Sequence, residues 1–199
     1  MTIPQKFRKA NENVITSYDF YDLAAGVGYK ILQGADTAHS NDVTRVLLSP
    51  NTFYANIGYQ AIGGVGTSTI NYDMPLNKAL TVEGDIIYEL NFSSDNLLGV
   101  TISAGLFMVD DGVETQIGDY DHGSASVPVN SWDYATITTT LPKTLIAAGK
   151  TLRAKFEFAV ENGGAMVVLN DPKNRSGLFS SNPTERSTLQ IYLPIEIKQ

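Results

Sequence analysis

The feature that most constrains the fold is a stretch in which apolar and mostly polar residues alternate. Apolar side chains occupy every second position from Leu152 to Val160. A period of two is typical of a β-strand with one buried face. Asn162-Gly163-Gly164 follows, then the apolar run Ala165–Leu169, which ends at Asp171-Pro172. Because asparagine and glycine tolerate the positive φ of tight turns, the pattern predicts a central hairpin whose second strand lies within a sheet.

Similar strand patterns recur along the chain, and turn residues separate them. Tight turns are predicted at Ser93–Asn96 and Asp110-Asp111-Gly112, and loops at Gly63–Gly66 and Asp119–Ser126. Proline at 194 predicts an edge position for the last strand, since proline lacks a backbone donor. The other predicted strands are Val14–Tyr21, Tyr29–Leu32, Val43–Leu48, Phe53–Ile62, Leu80–Phe92, Leu98–Val109, Trp132–Leu141 and Leu189–Ile197.

No 3.6-residue period is sustained long enough to predict a confident helix. The sequence therefore predicts an all-β protein, an antiparallel β-sandwich of jelly-roll type with about ten strands. We expect residues 1–13, which are polar and contain three cations, to form a flexible arm. Residues 14–199 are expected to form a single domain.

The charge distribution limits the classes of partner. The net charge is −7, and residues 79–142 contain ten acidic side chains and no Lys or Arg. Phosphate binding needs cations, so this segment does not favour nucleic acid. It predicts either a solvated acidic face or a patch that meets basic residues on a neighbouring copy. The absence of cysteine rules out disulfides, and no apolar run approaches the length of a membrane helix. Residues Met1 to Val14 are polar and lack the apolar stretch expected of a signal peptide.

Catalytic chemistry has little support in the sequence. A Gly-x-Ser-x-Gly elbow is absent, and only His39 and His122 could serve as a histidine base or as histidine ligands of zinc. Glu83 and Asp85 share one face of a predicted strand, a spacing that suits paired carboxylates in a glycosidase cleft or merely a solvated face. We therefore predict no catalytic residue, no cofactor and no metal-binding residue, and hence no enzyme.

Two binding hypotheses stay open. The first is a structural calcium ion held by oxygen-rich loops, the alternative being ordinary acidic turns. Its candidate residues are Asp110, Asp111, Asp119, Asp121 and His122. The second is an aromatic surface for a sugar ring, formed by Trp132, Tyr134 and Tyr120, although a lone Trp is also typical of a core or an interface.

Several segments resemble structural proteins of tailed bacteriophage virions. They are Ile15-Thr16-Ser17-Tyr18-Asp19-Phe20-Tyr21-Asp22-Leu23-Ala24-Ala25-Gly26, Gly149-Lys150-Thr151-Leu152-Arg153, Asp171-Pro172-Lys173-Asn174-Arg175 and Leu189-Gln190-Ile191-Tyr192-Leu193-Pro194. The resemblance implies a jelly-roll module that decorates a capsid or forms a head fibre or another appendage. It implies assembly rather than catalysis, and it transfers no functional residue.

The expected function is thus that of a virion structural or decoration protein, assembled in the host cytoplasm. Its expected partners are further copies of itself and other virion proteins such as a capsid shell protein, with neither nucleic acid nor membrane. The alternative is a carbohydrate-binding module or a receptor-binding appendage domain, for which a surface glycan would be the ligand.

Overall fold

The computed structural model describes residues 16–17, 27–36, 45–48, 59–94, 99–126, 131–161, 165–170 and 188–196. These residues form twelve β-strands and contain no helix, so none of them belongs to a helix that could cross a membrane. The all-β prediction is confirmed. The strands are β1 (Thr16–Ser17), β2 (Val27–Asp36), β3 (Arg45–Leu48), β4 (Tyr59–Gly63), β5 (Gly66–Pro75), β6 (Leu80–Ser94), β7 (Gly99–Asp110), β8 (Val113–Ser126), β9 (Ser131–Ile146), β10 (Thr151–Val160), β11 (Ala165–Leu169) and β12 (Gln190–Glu196).

The strands form two facing layers. The first has the order β9-β6-β12-β2, with β11 and then β4 continuing beside the C-terminal part of β6. The second has the order β5-β10-β7-β8. β3 connects the layers, because it pairs antiparallel with β2 and touches β5 in parallel register at Val46 and Asp73. The predicted antiparallel sandwich is therefore confirmed, with this one parallel contact among the described strands.

The core lies between the layers and includes the predicted inward residues of β10. Leu152, Phe156 and Phe158 of β10, Leu90 of β6 and Ile191 of β12 are fully buried. β10 alternates strictly between buried and half-buried residues along its whole length. Its period of two therefore correctly identified the inward face, because successive side chains of a strand point to opposite sides.

The central hairpin is a wrong prediction. β10 pairs with β5 and β7 over all ten of its residues, whereas β11 pairs with β4 and β6 in the other layer. A glycine-rich connection permits a tight turn and equally permits a crossing between layers, so it does not by itself decide pairing. The position of β11 inside a sheet is confirmed, since it has a neighbour on each side.

The two predicted tight turns have opposite outcomes. β7 and β8 form an antiparallel hairpin with Asp110 opposite Val113. Asp111 and Gly112 have φ of 47° and 83°, the positive values that a two-residue hairpin turn needs. The turn at Ser93–Asn96 was wrong as a hairpin, because β6 and β7 belong to different layers and do not pair.

Two strands of the structure, β5 and β8, are absent from the predicted set. β5 is mostly polar, with Ile70 and Tyr72 as its buried residues, so its apolar signal is too short to stand out. The predicted polar loop Asp119–Ser126 is instead the second half of β8. Both segments extend because neighbouring strands supply hydrogen-bond partners, whatever the polarity of their side chains.

Pro194 does not lie at an edge. β12 runs between β2 and β6, which contradicts the edge prediction. The ladder with β6 is interrupted between Tyr192 and Ile195, so the missing N–H of Pro194 falls at an irregularity in the pairing. A proline is thus accommodated inside the sheet.

Some predictions fall outside the described residues. They include the arm 1–13, His39, and most of the strands predicted at Val14–Tyr21 and Phe53–Ile62. The other predicted strands exist with shifted ends.

Candidate functional site

The outer surface of the first layer carries an aromatic and polar face. We call it the Tyr134 face and define it as Tyr134, Thr136 and Thr138 of β9, Asn91, Glu89 and Ile87 of β6, and Gln190 and Tyr192 of β12. The strand register arranges these residues in rows: Tyr134 beside Asn91, Thr136 beside Glu89 and Gln190, and Thr138 beside Ile87 and Tyr192. The alternate residues on the same strands point into the core, and this fixes the outward direction of the face.

Tyr134 is the most exposed large side chain of this face. Its exposed fraction is 72%, the highest among the large apolar and aromatic residues that the structure describes. Neighbouring Asn91 is held in place, because its Nδ2 donates to the carbonyl oxygen of Thr188 at 2.6 Å. The face therefore presents an aromatic ring beside a fixed amide.

Tyr192 and Glu89 form the polar centre of the face. The Tyr192 hydroxyl lies 3.1 Å from Glu89 Oε2 and 3.2 Å from Gln190 Oε1. A phenol has one proton and donates it to one of these oxygens at a time. The cluster therefore retains acceptor capacity for an incoming hydroxyl group.

Glu83 and Asp85 have separate partners. Asp85 Oδ1 accepts a hydrogen bond from Thr140 Oγ1 at 2.8 Å, whereas Glu83 Oε2 lies 3.6 Å from Lys143 Nζ. A β-bulge lies between Val82 and Gly84 and interrupts the register beside Glu83. The two carboxylates lie on β6 just outside the Tyr134 face, beyond Ile87 and therefore at the end of the face that is remote from Tyr134.

The outer surface of the second layer carries a charge network instead. Arg153 makes a two-point contact with Asp73, Nε to Oδ1 and Nη2 to Oδ2 at 2.6 Å each. Its Nη1 donates to Glu114 Oε1 at 2.5 Å, and Lys155 Nζ donates to Glu114 Oε2 at 2.8 Å. The hydrogen bonds from Lys155 and Arg153 lower the pKa of Glu114, and the bond to Asp73 raises the pKa of Arg153. The four charged side chains of this network thus form ion pairs with one another.

Tyr120 belongs to this second surface. Its ring covers Gly105, where an added Cβ would clash with Tyr120 Cδ2, and it meets Phe107 edge-on at 6.1 Å. Lys155 Nζ lies 4.9 Å from the centre of the Phe107 ring. Burial raises the pKa of Tyr120 to about 12, with a smaller contribution from the charge of Glu157.

The predicted aromatic surface is therefore divided. Tyr134 lies on the outer side of the first layer and Tyr120 on that of the second. Trp132 lies two residues before Tyr134 in β9, where its backbone is opposite Ser93. The prediction was right for Tyr134 as an exposed ring and wrong for Tyr120 as its neighbour, because strand membership separates the two tyrosines.

The acidic residues proposed for calcium do not form the two loops that we expected. Asp110 and Asp111 lie at the β7–β8 hairpin, and Asp110 forms an ion pair with Lys150. Asp119, Asp121 and His122 lie within β8, more than six residues beyond the turn, roughly 20 Å along an extended strand. Among the described residues, no group of three or more potential metal ligands comes together.

The acidic segment 79–142 is partly neutralised within the chain. Glu83, Asp110 and Glu114 pair with cations that follow the segment in sequence, namely Lys143, Lys150, Arg153 and Lys155. Both predictions for this segment, a solvated acidic face and a patch that meets a neighbouring copy, did not take these ion pairs into account.

Sequence reasoning missed Glu89, Asn91, Gln190 and Tyr192 as site residues. Each occupies the polar side of an alternating strand, which is the usual signature of a solvated face. The available signal was the presence of amides and a tyrosine, in place of lysines, at those outward positions. Their juxtaposition depends on the pairing of β6 with β9 and β12, which are distant in sequence.

Comparison with known proteins shows similarity of fold alone. No protein-family model and no curated protein matches the chain. An aminopeptidase from the marine sediment archaeon Thaumarchaeota archaeon superposes with a TM-score of 0.53 at 9% identity, over 83% of this chain and 37% of that one. A CocE/NonD family hydrolase from Staphylococcus aureus gives 0.48 at 11% identity, over 83% and 41%. The chain thus spans about two fifths of the length of these hydrolases.

A carbohydrate-binding module, TmCBM61 in complex with β-1,4-galactotriose, is also similar. The TM-score is 0.31 at 12% identity, over 79% of this chain and 83% of that one. Identities this low leave activity and ligand open.

Proposed function

We propose that this chain is a non-enzymatic binding module that recognises carbohydrate through the Tyr134 face. The observation that carries the proposal is the 72% exposed ring of Tyr134, set on a paired strand beside polar groups. A sugar ring presents an apolar face of C–H groups and a rim of hydroxyls. The tyrosine ring suits the first, and the carboxylate, amide and hydroxyl groups of the neighbouring rows suit the second.

The placement on sheet strands supports the same function. Asn91 is tied to Thr188, and Tyr192 is tied to Glu89 or Gln190. Side chains that are already ordered lose less conformational freedom on binding, so a shallow face of this kind is able to retain a polar ligand. The Arg153 network on the opposite outer surface is a poorer candidate, because its charges are mutually paired.

A glycan array tests the proposal directly. We expect the wild-type chain to bind a subset of glycans, and Tyr134→Ala to lose that signal because the stacking ring is gone. Tyr134→Phe should retain most of it, since the ring remains. Trp132→Ala is measured in parallel because of its position in β9.

Leu145→Ala is the matched control. Leu145 is 64% exposed on the same strand, at the end remote from Tyr134, so its loss should leave binding unchanged. If no glycan is bound, or if Tyr134→Ala binds as well as the wild type, the Tyr134 face is not a carbohydrate site.

The non-enzymatic part of the proposal has its own test. The double variant Glu83→Gln, Asp85→Asn should bind glycans as the wild type does, because these carboxylates lie beyond the face. Reducing-end release is assayed on the bound glycans for both proteins. Cleavage by the wild type that disappears in a folded double variant would make the chain a glycosidase.

A further inference from the structure

On the basis of the proposed function, we infer that the ligand of the Tyr134 face is an uncharged oligosaccharide that extends from Tyr134 to Tyr192, with Glu89 as its main hydrogen-bond acceptor. The inference concerns the length and the charge of the ligand. Each follows from a different property of the face.

The length follows from the strand register. Tyr134 lies opposite Asn91 and Tyr192 opposite Ile87, so the two rings are four residues apart along β6 and on strands that flank it. At roughly 3.3 Å per residue and about 4.8 Å per strand, the diagonal between these positions is about 16 Å. This exceeds the size of one sugar ring, so a ligand in contact with both tyrosines contains several units.

The charge follows from the side chains of the face and of the row beyond it. Glu89 is the charged residue within the face, and Asp85 lies in the next row on β6. The nearest cation along β9, Lys143, is paired with Glu83 at 3.6 Å. A uronate or sialate would therefore meet like charge, and burying it is unfavourable because the described residues of the Tyr134 face include no cation. Hydroxyl groups, by contrast, donate well to a carboxylate.

Glu89 is a specificity-determining residue for a geometric reason as well. Its position between Thr136 and Gln190 places it in the middle row, between the rows of the two tyrosines. The Tyr192 hydroxyl lies 3.1 Å from Glu89 Oε2 and is able to donate its proton to it. An oligosaccharide that spans the two aromatic positions must pass over this carboxylate.

Titration calorimetry with oligomers of defined length tests the inference. The probes are β-1,4-linked galactose and glucose oligomers of one to six units, together with the neutral glycan that gives the strongest array signal. Oligogalacturonate of matched length is the anionic comparison. We expect the affinity for the neutral series to rise with length and then level off, and the anionic series to bind at least ten-fold more weakly, about the effect of one lost hydrogen bond to a charged group.

Variants of the Tyr134 face test the roles proposed for its end at Tyr192 and for its centre at Glu89. Tyr192→Ala should flatten the length dependence, whereas Tyr192→Phe should preserve it. Glu89→Gln should reduce affinity for the neutral series and narrow the gap to the anionic series. Thermal unfolding verifies that each variant is folded, and a second central substitution that also removes the charge, Glu89→Ala, covers the case in which Glu89→Gln is unstable.

The outcomes separate this inference from the proposed function. Glycan binding that requires Tyr134 but does not depend on length, or that accepts oligogalacturonate equally well, overturns the inference and leaves the proposed function standing. The absence of any Tyr134-dependent glycan binding overturns both.

Discussion

Phe156 illustrates how a single residue holds the two layers together. Its ring meets Tyr88 of β6 edge-on at 5.6 Å and Tyr72 of β5 at 6.0 Å, and all three side chains are fully buried. Edge-to-face pairs of this kind stabilise a core beyond the area that they bury. Since Tyr88 and Phe156 come from opposite layers, the contact joins the layers.

We expect Phe156→Ala to lower the free energy of unfolding by about 3–5 kcal/mol, because the site is enclosed and the cavity would be only partly refilled. Urea unfolding followed by tyrosine fluorescence measures the change. Tyr134→Ala, at an exposed position, should cost less than about 0.5 kcal/mol in the same assay. A loss below about 1 kcal/mol for Phe156→Ala would mean that the ring is not part of a tight core.

At the scale of an element, the outward side of β10 forms ion pairs with neighbouring strands. Its outward residues Arg153 and Lys155 lie between Asp73 of β5 and Glu114 at the start of β8. The two cations thus connect three strands of the second layer across its outer surface. Ordinary exposed ion pairs contribute little, but this network combines a two-point arginine contact with a shared carboxylate.

The lowered pKa of Glu114 gives this network a pH dependence. A carboxyl group whose pKa is lower in the folded state stabilises the fold above its unfolded pKa, and that contribution is lost as the pH falls through its folded value. Stability should therefore decrease below about pH 4.5, as the Glu114 carboxylate takes up a proton.

Glu114→Gln is expected to remove this dependence. At pH 7 the variant should be less stable than the wild type by about 1 kcal/mol, and the difference should shrink toward pH 3. Urea unfolding at both pH values makes the comparison. Glu83→Gln is the matched control, since its partner Lys143 is 56% exposed and the pair should contribute little. A pH-independent difference for Glu114→Gln would exclude the proposed linkage.

At the scale of the whole molecule, the structure changes the argument for assembly. The final strand, expected at an edge, lies between β2 and β6, so it is not an exposed edge strand. Within the described residues, β8, β9, β4 and β1 each pair with a single strand. Assembly into a virion stays a prediction from the sequence resemblance, and it no longer has the support of an exposed last strand.

Deletion of residues 1–13 tests the remaining part of that prediction. The expected result is weaker self-association or weaker incorporation into particles, with a salt-sensitive interaction, since exposed charge pairs are screened beyond about 8 Å at physiological ionic strength. Sedimentation at low and high salt and particle incorporation are the measurements, and thermal unfolding is the control for folding. A monomer at every salt concentration that joins no particle would contradict the assembly prediction as a whole.

The sequence by itself determined most of the strand segments and which way many of them face. The alternation from Leu152 to Val160 identified the buried side of β10, and that of Leu80–Phe92 identified the buried side of β6. The Asp111-Gly112 turn was also determined locally, because its positive φ values suit few other residues. These features depend on nearest neighbours along the chain.

Only the tertiary structure decided which strands pair, and with that the composition of the site. Any strand offers the same backbone hydrogen-bonding groups. The local alternation of apolar and polar residues therefore does not determine that β10 pairs with β5 rather than with β11. The choice depends on how all the apolar faces are buried together. The same long-range pairing brings Glu89, Tyr134 and Tyr192 onto one face and separates Tyr120 from them, and no spacing in the sequence contains that information.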